Sequence, residues 1–283
     1  MNPVATHAVP CRPVTDDEVQ HLHDRGWVLL KQYIDVDVLG RMLTIAHEKM
    51  GEDADSNAMS RYVEAAVAEG GAGVQYFNAQ PTNGLHNPTI RPVIDGIGRE
   101  AKSLLRRRNP HGDPLDIRYY QDFFAPKLPS SRTSRHGGNG PTAFHQDFIT
   151  FAVDRTGGMT FWVPLESYGP DAGTMSFVNG SHRLGVLGDY TTYEGGDALS
   201  AFPELQDLEM SEPVTYELGD ITVHSHLTVH GAGANTLERP RWAWLLLTQP
   251  ADVCWNGAPC PNFDHSAMRP WQRMDGERFP VIS

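Results

Sequence analysis

Cysteine is scarce in this chain of 283 residues. The three present, Cys11, Cys254 and Cys260, are an odd number and form no CxxC pair. Such a set argues against a disulfide framework and against a cysteine-ligated zinc site. We therefore expect a reducing, cytoplasmic environment.

Long hydrophobic runs are also absent. The longest apolar stretch covers residues 242–247, far short of the roughly 18 residues that a membrane-spanning helix needs. The first residues lack the basic, apolar and small-residue sections of a secretory signal. We expect no membrane partner.

Positive charge is in deficit. The chain has 23 Lys plus Arg against 35 Asp plus Glu, a formal net charge of −12, and its one dense basic run is Arg106–Arg108. A nucleic-acid-binding protein normally carries a basic footprint, so this class is excluded. With 40% hydrophobic and 20% charged residues, the composition is that of a globular protein.

Helix signals dominate the first part of the chain. Thr15 and Glu18 form a capping box, Gly26 is placed to end that helix, and Asp35 can cap a second helix that ends before Gly51. The intervening residues 27–34 are typical of a short strand. Further helices are predicted near 61–69 and 94–107.

The pattern changes at about residue 116. Short apolar or alternating runs are separated by Gly, Pro, Asn and Asp, which is typical of an antiparallel sandwich or barrel of jelly-roll type. These runs cover residues 116–125, 144–153, 159–165, 173–181, 221–230 and 241–249. We predict one domain over 1–283, with a helical preamble at about 14–110, a jelly-roll core at about 115–250 and a C-terminal extension at 251–283. Loops at 71–90, 129–141 and 186–200 are expected to shape a pocket.

The first candidate ligands lie in the run Phe144-His145-Gln146-Asp147-Phe148. Side chains alternate along a strand, so His145 and Asp147 are predicted to share a face while Gln146 points away. An imidazole and a carboxylate placed in this way can bind one divalent metal ion together.

A second candidate cluster holds three histidines of one strand parity, His224, His226 and His230. The sequence after His230 continues as Gly-x-Gly-x-Asn. If a hairpin turns between residues 235 and 236, His230 and Arg241 lie opposite each other on adjacent strands. His224 and His226 remain alternatives for the third metal ligand, and Arg239 remains an alternative to Arg241.

Two histidines and one carboxylate on one side of an iron ion form the facial triad of non-haem Fe(II) oxygenases. Their co-substrate 2-oxoglutarate chelates iron through its keto acid and presents a second carboxylate on the other end. A guanidinium suits that carboxylate because it binds through two hydrogen bonds and stays charged.

These motifs, with Asn179-Gly180-Ser181-His182-Arg183 and Gly219-Asp220 between them, resemble the phytanoyl-CoA dioxygenase family from about residue 14 to about residue 250. The resemblance implies a double-stranded β-helix, a jelly-roll architecture. It implies His145, Asp147 and His230 as ligands of Fe(II), and Arg241 as the anchor of 2-oxoglutarate.

Further positions follow from the same resemblance. Gln121 and Trp162 match places that often line the co-substrate pocket, although a buried structural role is also open for both. His182 matches a turn where a structural hydrogen bond is expected. Related halogenases replace the carboxylate ligand by Gly or Ala, so the retained Asp147 disfavours halogenation.

The expected function is an Fe(II)- and 2-oxoglutarate-dependent dioxygenase. It would use O₂ to remove hydrogen from a C–H bond of a small organic molecule, with succinate and CO₂ as co-products. The loop at 186–200 is acidic and aromatic, which favours a natural-product intermediate over a coenzyme A thioester. An acyl-CoA hydroxylase and a non-catalytic jelly-roll binder of a metal or ligand remain alternatives.

Overall fold

A computed structural model describes residues 10–54, 80–81, 83–132, 140–188, 196–260 and 263–283. The helices in these ranges are α1 (Asp16–Arg25), α2 (Val36–Met50), α3 (Arg91–Leu105) and the short α4 (Ala198–Ala201). The strands are β1 (Trp27–Leu30), β2 (Gln80–Pro81), β3 (Ile117–Phe124), β4 (Thr142–His145), β5 (Met159–Pro164), β6 (Met175–Phe177), β7 (Ile221–Ser225), β8 (His230–Ala232) and β9 (Ala243–Pro250).

Antiparallel pairing builds two sheets from these strands. The larger sheet has the order β1-β7-β5-β9-β3-β2, and the smaller has the order β4-β8-β6. The larger sheet joins strands that are distant in the chain, because β7 lies between β1 and β5. This arrangement confirms the predicted jelly roll.

The N-terminal signals form the predicted elements with one difference. Both hydrogen bonds of the Thr15–Glu18 capping box are present, and Gly26 ends α1 with φ 87°. The following strand stops at Leu30 rather than at residue 34, because Gln32 adopts φ 47° and donates its backbone N–H to Asp220. This turn leads the chain from the larger sheet into α2.

The other predicted helices have mixed outcomes. The helix predicted over 94–107 covers Arg91–Leu105 and ends where Arg106 adopts φ 50°. The helix predicted near 61–69 lies outside the described residues. So do parts of the three predicted pocket loops, at 71–79, 82, 133–139 and 189–195.

Alternation along the strands of the larger sheet separates two cores. On β9, Trp244 and Leu246 pack toward the helices α1 to α3. Leu245 and Leu247 pack toward the smaller sheet, in a cluster that includes Phe177 of β6. The second cluster is the interior of the jelly roll, and the candidate site lies along it.

The C-terminal residues pack back onto this core. The backbone N–H of Tyr119 donates to Pro280, and that of Ile282 donates to Ile117, so the segment runs beside β3. Arg118 of the same strand donates to the carbonyl oxygens of Ala251 and Phe279.

The single-domain organisation stays a prediction. Of the helices in the described ranges, none combines the length and the apolar character that crossing a bilayer requires.

Candidate metal centre and co-substrate pocket

Three predicted ligands meet between the two sheets. His145 at the end of β4 and His230 at the start of β8 are register partners in the smaller sheet. Asp147 lies two residues after His145 in the chain, and the three candidate ligand atoms lie within 4.8 Å of one another. Asp147 and His230 are buried, 7% and 3% exposed, and His145 is half-buried.

The strand prediction for the HxD motif is wrong in one respect. β4 ends at His145, and Asp147 begins a 3₁₀ turn that runs to Thr150. The two side chains still converge because Gln146 between them keeps an extended backbone, φ −103° and ψ 134°. Gln146 points away as predicted, and its amide binds the carbonyl oxygens of Gly185 and Leu227.

Hydrogen bonds to the backbone orient both imidazoles. Nδ1 of His145 lies 2.8 Å from the carbonyl oxygen of Ala143, and Nδ1 of His230 lies 3.0 Å from that of Thr228. A carbonyl oxygen only accepts, so each Nδ1 carries the hydrogen and each Nε2 keeps its lone pair. Both Nε2 atoms are therefore available to a metal ion.

The two oxygens of Asp147 have different partners. Oδ1 lies 3.5 Å from Nε2 of His145 and 3.8 Å from Nε2 of His230. Oδ2 accepts a hydrogen bond of 2.6 Å from the hydroxyl of Thr160 and lies 3.1 Å from Nε2 of His224. Oδ1 is thus the oxygen that faces the other two ligands.

For His230 and Asp147, the electrostatics favour the protonation states that a metal requires. Burial, together with the neighbouring imidazoles of His224 and His145, holds the pKa of His230 well below its usual value. Burial by itself would raise the pKa of Asp147, but the surrounding imidazoles outweigh it and hold that pKa well below its usual value. A neutral imidazole and an ionised carboxylate are the forms in which these residues bind metal ions.

His145 differs from His230 because its pKa is raised rather than lowered. Burial works against its protonation, but the hydrogen bond and the charge of Asp147 outweigh burial and raise the pKa of His145. A metal ion that binds at Nε2 competes with a proton at this ligand.

The alternative ligands of the second histidine cluster occupy other places. The single predicted run is split, because β7 ends at Ser225 and β8 begins at His230. His224 contacts Asp147 from the larger sheet. The ring of His226 lies 4.5 Å from that of Phe151, and burial lowers the pKa of His226 to about 4.

The predicted hairpin between His230 and Arg241 is wrong. β8 pairs with β4 and β6 in the smaller sheet, and β9 pairs with β3 and β5 in the larger sheet. The segment between β8 and β9 instead crosses from the smaller sheet to the larger one. Asn235 fixes its position, because its side-chain amide donates to the carbonyl oxygens of Lys127 and Arg239.

Burial distinguishes the two candidate arginines, Arg241 and Arg239, which strand alternation does not. Arg241 is 7% exposed, its guanidinium donates to the carbonyl oxygen of Gly173, and its Cζ lies 4.9 Å from the ring of Trp162. The side chain of Arg239 is 53% exposed and pairs with Glu166. Only Arg241 is directed into the interior.

A second buried cation lies beside Arg241. Lys127 exchanges two backbone hydrogen bonds with Arg241, of 2.8 and 2.9 Å, and residues paired in this way present their side chains on one face. The ammonium group lies 3.2 Å from the hydroxyl of Thr142. Burial and the charge of Arg241 lower the pKa of Lys127 to about 7.

Trp162 and Gln121 lie on the interior face of the larger sheet. Trp162 follows Thr160 by two residues on β5 and contacts Arg241, so it lies between the metal ligands and the cations. Gln121 pairs with Leu247, which also pairs with Thr160. Trp162 thus lies against the guanidinium of Arg241. Gln121 lies two strands away from Thr160, the residue that donates a hydrogen bond to Asp147.

The donor set fits a divalent metal and a dianionic co-substrate. Two neutral nitrogens and one carboxylate oxygen are the ligands of the non-haem iron triad, and three ligands leave positions open. Two adjacent buried cations, Lys127 and Arg241, would gain most from a ligand that carries negative charge. Iron and 2-oxoglutarate satisfy both requirements.

The sequence did not predict three contributions to the site. These are the buried cation Lys127 and the two hydrogen-bond partners of Asp147, Thr160 and His224. Lys127 lies between two prolines in a segment without periodicity, so nothing local reveals its burial. Thr160 and His224 had a usable signal, since both lie in predicted strands at the parity that faces the interior.

The fold and the site define a class, the jelly-roll proteins with a metal site of two histidines and one carboxylate. Residues 111–243 match the family model described as Phytanoyl-CoA dioxygenase (PhyH). The match covers 133 of the 283 residues, including the three candidate ligands and Arg241, and it supports the resemblance.

Individual proteins are also similar to this chain. The chain is 28% identical over 187 residues to a probable alpha-ketoglutarate-dependent hypophosphite dioxygenase of Stutzerimonas stutzeri, and the match spans 63% of this chain but only 60% of that relative. Among solved structures, the alpha-ketoglutarate-dependent carbocyclase SnoK from nogalamycin biosynthesis is 22% identical with a TM-score of 0.68, over 95% of this chain and 97% of that one. The epimerase SnoN in complex with Fe³⁺, alpha-ketoglutarate and nogalamycin RO is 21% identical with a TM-score of 0.67, over 95% and 98%. These two structures share the fold.

Proposed function

We propose that the protein is an Fe(II)- and 2-oxoglutarate-dependent dioxygenase that oxidises a C–H bond of a small organic molecule. One observation carries the proposal. The interior of the jelly roll holds both the triad of His145, Asp147 and His230 and two buried cations, Lys127 and Arg241. A metal-binding jelly roll without co-substrate chemistry has no need for two buried cations beside its metal site.

In this proposal His145, Asp147 and His230 would hold Fe(II). Together with 2-oxoglutarate, the bound ion would supply the O₂ chemistry that removes hydrogen from the substrate, with succinate and CO₂ as co-products. Arg241 and Lys127 bind the distal carboxylate of 2-oxoglutarate, and Trp162 covers the guanidinium. The chain contributes orientation and the exclusion of water, because Asp147, His230, Lys127 and Arg241 are buried.

For the substrate we propose an intermediate of natural-product biosynthesis. The fold likeness to SnoK and SnoN supports this class, together with the acidic and aromatic composition of residues 186–200. The outcome can be hydroxylation, epimerisation, cyclisation or desaturation, since each begins with removal of one hydrogen.

The test is formation of succinate from 2-oxoglutarate under air. The purified chain is loaded with Fe(II) anaerobically, mixed with 2-oxoglutarate and exposed to O₂, with and without a panel of polyketide, amino-acid and acyl-CoA substrates and hypophosphite. We expect succinate formation that depends on Fe(II) and is lost in Asp147→Ala. Arg239→Ala is the matched control for Arg241→Ala.

A protein that neither retains Fe(II) under anaerobic conditions nor forms succinate with any member of the panel would overturn the proposal. Stimulation by hypophosphite alone would keep the enzyme class and reject the natural-product substrate.

A further inference from the structure

The outward oxygen of Asp147 is held by a cross-strand pair of the larger sheet. We propose that Thr160 and His224 form a carboxylate clamp, which keeps Asp147 a one-oxygen ligand and so preserves a coordination position for the co-substrate. This inference rests on the proposed function and concerns positioning residues, since neither side chain is among the three ligands.

The clamp is built from directly opposed residues. Thr160 of β5 and His224 of β7 are register partners, so their side chains leave the sheet on the same face. Both reach Oδ2 of Asp147, the hydroxyl at 2.6 Å and the imidazole Nε2 at 3.1 Å. With a hydrogen on Nε2, both groups donate.

The smaller sheet supplies a matching pair on the other side. His145 and His230 are register partners there, and their Nε2 atoms lie nearest to Oδ1. Asp147 therefore bridges the two sheets, with one oxygen assigned to the metal ligands and the other to the donors. This division comes from two cross-strand pairs rather than from a flexible loop.

The clamp residues are held in place by their surroundings. Thr160 is 2% exposed and His224 is 1% exposed. The ring of His224 lies 4.3 Å from that of His230 and 5.5 Å from that of Phe177. A side chain confined by packing keeps its donor in position, which is what orientation of a metal ligand requires.

The chemical consequence concerns the second oxygen. A carboxylate can bind a metal ion through one oxygen or through both. Two donors on Oδ2 stabilise the one-oxygen form, because two-oxygen binding would break both hydrogen bonds. A second metal–oxygen contact would occupy a position that a chelating co-substrate needs.

The test measures binding rather than turnover. The probes are Co(II), which is stable in air, and 2-oxoglutarate, each titrated by calorimetry. Thr160→Val and His224→Leu remove one donor each, whereas Thr160→Ser and His224→Gln keep a donor. The visible absorption of bound Co(II) reports its coordination number, and thermal unfolding without metal reports the fold.

In the two donor-deleting variants we expect affinity of the Co(II)-loaded protein for 2-oxoglutarate to fall about tenfold. We expect Co(II) binding itself to persist, with an absorption change that indicates an additional ligand. The donor-keeping variants should resemble the wild type. Each strand supplies one donor, so either pair of variants carries the test alone if a member of the other pair unfolds.

The inference is overturned if the folded donor-deleting variants bind 2-oxoglutarate as the wild type does, or if the donor-keeping variants lose as much affinity. Failure of the wild type to bind Co(II) and 2-oxoglutarate would instead reject the proposed function.

Discussion

Lys127 and Arg241 exchange two backbone hydrogen bonds, so that two cationic side chains lie together on one buried face. Neighbouring like charges in a dry setting are unfavourable, and the lowered pKa of Lys127, about 7, reflects burial and the charge of Arg241. A dianion bound between the two side chains would offset this repulsion and would favour the charged form of Lys127.

The first prediction concerns the pH dependence of 2-oxoglutarate binding. Protonated Lys127 favours the dianion, so above pH 7 binding must include proton uptake. Affinity should therefore fall as pH rises above about 7, by up to about tenfold per pH unit. Calorimetry of protein saturated with Mn(II), from pH 6 to pH 9, measures this.

Lys127→Arg is the control because arginine stays charged over this range. Its affinity for 2-oxoglutarate should be nearly constant between pH 7 and pH 9. A wild type as insensitive to pH as this variant would show that Lys127 does not contact the co-substrate.

The second prediction separates the two candidate arginines. Arg241→Ala removes the buried guanidinium that we propose binds the distal carboxylate. It should raise the requirement for 2-oxoglutarate by about 10- to 100-fold, with little change in metal affinity. Arg239→Ala removes an exposed partner of Glu166 and should change neither. Titration of 2-oxoglutarate in the succinate assay compares them, and the reverse ranking would reassign the anchor to Arg239.

Local patterns predicted that the candidate metal ligands lie close together, and the structure brings them together. The period of two brought His145 and Asp147 together even though the strand ends between them, because Gln146 stays extended. Capping rules predicted α1 and α2 because their determinants lie within four residues of each other.

Long-range pairing was where local patterns failed. Symmetry about a point between residues 235 and 236 predicted a hairpin, but Asn235 binds the backbone of Lys127, which is distant in the chain. A local rule does not reveal which sheet a strand joins. For the same reason it did not reveal that Lys127 lies beside Arg241, or that Thr160 and His224 face Asp147 as a pair.

The third prediction tests Asp147 as the proposed carboxylate ligand of the metal ion. Asp147→Asn keeps the size of the side chain but removes its charge, and should lower the affinity for Mn(II) by about 100-fold or more, beyond the usual effect of groups that only orient a ligand. Asp154→Asn, whose carboxylate pairs with Arg155, is the control and should bind Mn(II) normally. Equal affinities in the two variants would exclude Asp147 as a ligand.

The last prediction concerns two glycines in helices. A Cβ on Gly98 of α3 would lie 1.8 Å from the backbone oxygen of Ile282, whereas a Cβ on Gly40 of α2 would have no atom within 4 Å. Gly40→Ala should therefore stabilise the protein by roughly 0.5–1 kcal/mol, as alanine usually does in an open helical position. Gly98→Ala should lower the free energy of unfolding by roughly 1–3 kcal/mol, because the C-terminal segment beside β3 must move. Chemical denaturation of both variants measures the difference. If Gly98→Ala is as stable as Gly40→Ala, the C-terminal segment does not dock tightly against α3.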